Sequence, residues 1–257
     1  GSVKEELRVR GLRNMIKDYQ RLKEELGKAP KPFKAKQSTI NTHNSALNRI
    51  FDEALLRGWI TDSIKPTVLN KGIKAESRGA FSLDEYQAIY TGLRSWTGTG
   101  HRQETRELRE VLREYVLFLA NTGIRHGTEA TGIKWSNIRY FTGLDKQQYL
   151  EVAVDGKVGK RQLVARDNTA RYLERLRDLK SSIKHLTLKE LLSKQLDVEV
   201  FRTRSGYNPT TDALRGSFRQ YLEHAGILRD TNGVTRSLYC LRHTYATFRL
   251  ASGTDIH

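Results

Sequence analysis

The chain has 257 residues, enough for one large domain or two smaller ones. It carries 45 Lys+Arg against 29 Asp+Glu, a formal net charge of +16, which favours a polyanionic partner because each phosphate neutralised releases condensed counterions. A single cysteine, Cys240, excludes a disulfide framework and a cysteine-rich zinc site, and the histidines show no metal-ligand spacing, so neither metal nor cofactor is expected. No signal peptide is visible, and no apolar run approaches the ~20 residues needed to cross a bilayer.

Residues 3–26 place Val9, Leu12, Ile16, Tyr19, Leu22 and Leu26 three and four apart, which predicts an amphipathic helix. Pro30 and Pro32 break it. A second helix is expected from Ser38 to Arg57, with Ile40, Leu47, Ile50, Phe51, Ala54 and Leu55 on one face. The segment up to Arg78 holds 17 Lys+Arg and 9 Asp+Glu, a net of +8. It reads either as a small helical, DNA-facing domain or as ordinary solvated helix faces. Its Lys34, Lys36, Lys71 and Lys74 are candidate contacts to a nucleic-acid backbone.

A polar linker follows over 71–80, so the chain divides into a helical domain over 3–75 and a second domain over 76–257. Ser82-Leu-Asp-Glu85 is a capping box that opens a new helix. A largely buried helix is expected over Leu108–Ala120, stopped by Asn121-Thr-Gly123, and a short one over Gly127–Ile133. Gln148–Val154 and Arg161–Arg166 read as strands, with Asp155-Gly156 as the hairpin signal between them. Further helices are expected over about 168–185, 188–195, 210–225 and 242–252. The fold class is therefore mainly α with a small antiparallel sheet. Ala251-Ser-Gly253 ends the last helix, and Thr254 and Asp255 are N-cap residues for another, so a further C-terminal piece is expected after His257. Gly1-Ser2 reads as a cloning remnant.

Arg125 stands just past a glycine helix stop, Arg242 at another helix start, and Lys157, Lys160 and Arg161 on the hairpin, where Lys160 and Arg161 are further candidate DNA contacts. Guanidinium forks bind non-bridging phosphate oxygens and would stabilise the charge of a pentacoordinate transition state. A lysine can protonate a leaving 5′-oxygen. The competing readings are an Arg125–Glu129 pair at i,i+4 and routine solvated hairpin lysines. Trp135 and Tyr115 read as core, Cys240 as a small buried residue, and Tyr245 as packed in the core. His126 reads as solvent-facing or touching DNA.

Thr122-Gly-Ile-Arg125 with Trp135, Gly156-Lys157 with Lys160-Arg-Gln-Leu-Val-Ala165, and Leu241-Arg-His-Thr-Tyr-Ala-Thr247 together resemble the tyrosine recombinase (phage integrase) family. The resemblance covers nearly the whole chain and implies a helical core-DNA-binding domain (SAM-like) followed by a catalytic domain. It implies site-specific strand exchange without metal or external energy. A tyrosine would form a 3′-phosphotyrosine and two duplexes would pass through a Holliday junction in a homo-tetramer on double-stranded DNA. Residue by residue, Arg125 and Arg242 match the two phosphate-clamping arginines, and Lys157 the hairpin general acid, with Lys160 as runner-up. Tyr239 stands where the family has His or Lys, and a phenol hydrogen-bonds a phosphate but shuttles protons poorly. The family's acidic residue three after the first arginine is Thr128 here, with the carboxylate at Glu129, expected to hold a site side chain. His243 reads as structural. The only tyrosine after Arg242 is Tyr245, too early for the family's nucleophile, so none is assigned and this chain is expected to bind DNA without cutting it, as a monomer in solution. The resemblance further implies a phage or mobile element and a cytoplasmic, nucleoid-associated location in a bacterial host. Two alternatives stay open: a non-catalytic DNA-binding regulator on the same fold, which Tyr239 favours, and a type IB topoisomerase relative, which the small N-terminal domain disfavours.

Overall fold

A computed structural model describes Asn14, Lys17, Arg21 and residues 37–72, 79–156 and 159–253. Lys34, Lys36, Lys74, Lys157, most of the helix expected over 3–26 and the helix start expected at Thr254 lie outside the described residues. The chain divides into two compact units, residues 1–76 and 77–257.

In the first unit, helix α1 (Gln37–Leu56) buries none of its residues. It ends in a Schellman turn. Trp59 N–H donates to Ala54 O at 2.9 Å and Gly58 N–H to Leu55 O at 3.0 Å, with Gly58 at φ +70°. The segment 68–71 then lies along α1 on a ladder of asparagines. The Nδ2 groups of Asn41, Asn44 and Asn48 donate to the carbonyls of Lys71, Leu69 and Val68 at 2.8, 3.0 and 2.9 Å.

In the second unit the capping box forms as read. Ser82 Oγ accepts from Glu85 N–H and Glu85 Oε2 from Ser82 N–H, opening helix α2 (Leu83–Thr97). Helix α3 (Gln103–Thr122) is the centre: from Tyr115 to Thr122 every residue is buried, so it is wrapped on all sides. Around it pack α2, α5 (Thr169–Asp178), α7 (Thr211–His224) and α8 (Cys240–Ala251). A bidentate fork from Arg175 to Glu114, at 2.8 and 2.7 Å, ties α5 to α3. Phe201 sits edge-on to both Tyr115 and Phe118, with centroids 4.9 and 5.2 Å apart, each contact adding about 0.5–1.5 kcal/mol beyond burial. Trp135 and Cys240 are also fully buried.

The sheet is antiparallel in the order β1-β2-β3. Strand β1 (Ile138–Thr142) was not legible from periodicity; β2 (Gln148–Gly156) and β3 (Gly159–Ala165) correspond to the two expected runs. Asp155 and Gly156 pair with Lys160 and Gly159, so they belong to β2 and not to the turn. The helix expected over 168–185 stops at Asp178, because the chain turns at Leu179 and again at Ile183. Short helices α4 (Thr128–Thr131) and α6 (Leu188–Ser193) complete the unit.

Candidate active site

The site is organised by the end of α3. Gly123 takes the left-handed C-cap position at φ +66°, its N–H donating to Leu119 O at 3.0 Å. A side chain there would drive into the ring of Tyr245. Its carbonyl accepts from Arg242 Nη1 at 2.5 Å. One glycine thus stops α3, makes room for α8 and holds the arginine of α8. Thr244, fully buried on the same helix, accepts from Phe81 N–H at 2.9 Å and donates to Cys240 O at 3.0 Å, which fixes α8 against the entry to α2. Glu85 is then bound by Arg236 across 2.6 Å. Burial raises the Glu85 carboxyl, but the Ser82 amide and Arg236 outweigh it and hold it below its ordinary value.

Two residues after Gly123 comes Arg125. Its backbone N–H donates to Glu129 Oε1 at 3.3 Å, and its Nη1 lies 3.8 Å from Glu129 Oε2, beyond hydrogen-bond reach. That Nη1 is buried and has no hydrogen-bond partner among the described residues. Gly127 stands between them at φ +128°, ψ −158°, a conformation open essentially to glycine alone. Glu129, with 8% of its side chain exposed, also accepts from Arg161 Nη2 across from β3. Its carboxylate presses on Gly156, where a Cβ would meet it and Arg161 together.

Arg161, Arg242 and Tyr245, with Leu163, Val164 and Ala246, line a cleft of about 370 Å³ beside Gly123. The structure thus links Arg125 to Arg161 through Glu129 and places Arg161 and Arg242 on one cleft. Tyr245 is half-buried, not in the core as expected: its ring lies on bare Gly123 and also lines the cleft. Lys160 is exposed on β3. Lys71 is exposed in the first unit, its backbone held by Asn41.

Tyr239 stands at the N-terminal end of α8, half-buried, its ring edge-on to His243 at 5.2 Å. His126 is only partly exposed and is hydrogen-bonded to the Tyr115 hydroxyl at 2.9 Å. Burial pushes the His126 imidazole below its ordinary pKa and the Tyr115 phenol above its own. Among the described residues no cluster of His, Cys, Asp and Glu is placed to hold a metal, and no helix is long and apolar enough to cross a membrane. The arrangement can present guanidinium donors to a phosphodiester, with a phenol, Tyr239, near the second arginine. The Arg161–Glu129 contact was missed in the sequence. Its two residues are 32 apart, joined only through strand register and loop path.

This fold is that of the tyrosine recombinases. It is similar to a lambda integrase dimer bound to a COC′ core site (TM-score 0.54, 18% identity, covering 92% of this chain and 70% of that one). It is also similar to the Tn1549 transposon integrase in complex with circular intermediate DNA (TM-score 0.53, 14% identity, covering 93% and 73%). No protein-family model matches the chain, and no curated protein matches it in sequence.

Proposed function

We propose that the protein handles DNA as a site-specific recombinase of the integrase type, with its first unit gripping the duplex core and its second acting on the scissile phosphate. The observation that carries this reading is the gathering of Arg125, Arg161 and Arg242 around the end of α3, with a buried guanidinium nitrogen of Arg125 that has no hydrogen-bond partner among the described residues. A buried cation donor lacking an acceptor is costly, and a phosphate oxygen would satisfy it. The net charge of +16 and the recombinase fold point the same way.

In this reading Arg125 and Arg242 clamp the non-bridging oxygens and stabilise the pentacoordinate state. Lys157, or Lys160 in its place, protonates the leaving 5′-oxygen, and Tyr239 donates a hydrogen bond to the phosphate. Glu129 is a positioning residue. The chemistry would be transesterification through a 3′-phosphotyrosine in a tetramer on DNA, in the service of a phage or other mobile element within a bacterial cytoplasm. No tyrosine of the 257 residues is assigned as the nucleophile, and these residues are proposed to bind DNA without cutting it.

The test begins with selection of bound sequences from a random duplex pool. We expect one enriched site, affinity that falls steeply with salt, and a loss of about tenfold on Arg125→Ala or Arg242→Ala, the worth of one charge-assisted hydrogen bond to phosphate. Nicked suicide duplexes of that site should give no covalent adduct, with Tyr245→Phe behaving as wild type. An adduct on this chain would overturn the absence of a nucleophile. A selected site bound equally well by both arginine variants would support the rival reading, a non-catalytic regulator. No selected site at all would sink both.

A further inference from the structure

Glu129 is a carboxylate that two guanidiniums can claim. Arg125 is its neighbour at i,i+4, a spacing that pairs readily when nothing competes. A carboxylate and a guanidinium prefer the two-bond fork, and that fork is absent. Glu129 Oε1 is taken by Arg161 Nη2 and by the backbone N–H of Arg125. Oε2 faces Gly156 and stands 3.8 Å from Arg125 Nη1. The Arg125 side chain therefore feels the carboxylate's charge but shares no hydrogen bond with Glu129, and its buried Nη1 has no partner among the described residues.

Strand β2 helps to hold this state. Gly156 has no Cβ, so the carboxylate lies directly on the strand; a Cβ there would also stand 2.8 Å from Arg161 Nη1. The register then carries β3 back so that Arg161, opposite Val154, reaches the same carboxylate.

We propose that Arg161 is a positioning residue: it occupies Glu129 and so keeps the Arg125 guanidinium open for a phosphate of bound DNA. This rests on the recombinase reading above and deepens it. Without Arg161, Glu129 closes on Arg125 and the phosphate donor is quenched by its own neighbour. Removing the charge of Glu129 as well reopens it.

The experiment compares wild type, Arg161→Ala, Glu129→Gln and the double variant Arg161→Ala/Glu129→Gln. The first readout needs no DNA. Phenylglyoxal labels open guanidiniums, and peptide mass spectrometry reports the rate at Arg125. We expect that rate to fall severalfold in Arg161→Ala and to return to the wild-type value in the double variant. Arg161→Lys, which keeps the ion pair and guards against a folding artefact, should fall between wild type and Arg161→Ala.

The second readout is duplex binding against salt. Arg161→Ala should weaken binding about tenfold and lower the log–log salt slope by about 0.9, the share of one phosphate contact. The double variant should recover both. If Arg161→Ala weakens binding and the double variant recovers nothing, Arg161 touches phosphate itself and the proposal is overturned. Unchanged Arg125 labelling in Arg161→Ala overturns it too. A labelling pattern as expected, in a protein that selects no duplex site, would overturn the recombinase reading while supporting the pairing.

Discussion

Two sets of side-chain-to-backbone hydrogen bonds hold distant parts of the chain together, and they differ in environment more than in chemistry. In the second unit, Thr244 joins Phe81 N–H to Cys240 O with no exposure to water. In the first, Asn41, Asn44 and Asn48 bind the carbonyls of a segment along α1 that is exposed but for half-buried Val68. The bond lengths are nearly equal. Water decides what each is worth. A buried donor that loses its acceptor pays its full desolvation cost, whereas an exposed carbonyl that loses an amide finds water at once. The bonds that fix α8, and Arg242 with it, are therefore costly to break, whereas the strap on α1 is held by bonds that exchange easily with solvent.

The sharpest way to test the buried side is Gly123→Ala. The substitution forces an L-residue into the left-handed region, at about 1–2 kcal/mol, and drives a methyl into Tyr245, at about 1–3 kcal/mol more. Urea melts of the second unit should show a loss of about 3 kcal/mol, and Tyr245→Ala in the same chain should recover part of it. A neutral Gly123→Ala would mean that α8 is not fixed against α3. Thr244→Val comes next. It keeps the shape but leaves the Phe81 N–H without an acceptor, so about 1–3 kcal/mol should be lost in the same assay. A loss no larger than that of an asparagine variant would break the comparison.

The parts that could be read in advance are those where local chemistry and burial agree. Helix α3 was legible because its apolar residues run nearly without break into Gly123, and the capping box at Ser82 because its two bonds are local. The arginines at 125 and 242 were legible as helix-edge cations beside recognisable neighbours. Strand β1 was not, since Ile138 alone is fully buried and the pairing with β2 decides the rest. The partner of Arg161 was not, because a register and a glycine 27 residues from Glu129 had to be combined to see it. Tyr245 was misplaced for the same reason. Its ring lies on Gly123 beside a cleft that exists only once the end of α3, β3 and α8 are assembled. The apolar face read on α1 is largely open among the described residues, with Ile50 61% exposed, and nothing in its periodicity announces the asparagine ladder.

The smallest expected effect is on that ladder. Asn41, Asn44 and Asn48 are three and four apart, so they stand on one side of α1, and each replaces a water on a carbonyl of 68–71. Alanine at any one of them should cost only about 0.5 kcal/mol, the low end for a hydrogen bond exchanged with water. Global melts will not resolve that. Hydrogen exchange at the Lys71 amide will, because this N–H donates to Asn41 Oδ1 at 3.2 Å and loses its acceptor in Asn41→Ala. The rate there should rise at least twofold in Asn41→Ala, and less in Asn48→Ala, whose bond lies three residues up the strap. Equal acceleration in both variants would show the strap unzipping as a unit. The bonds would then be cooperative, and the line drawn between the two regions would have to be moved.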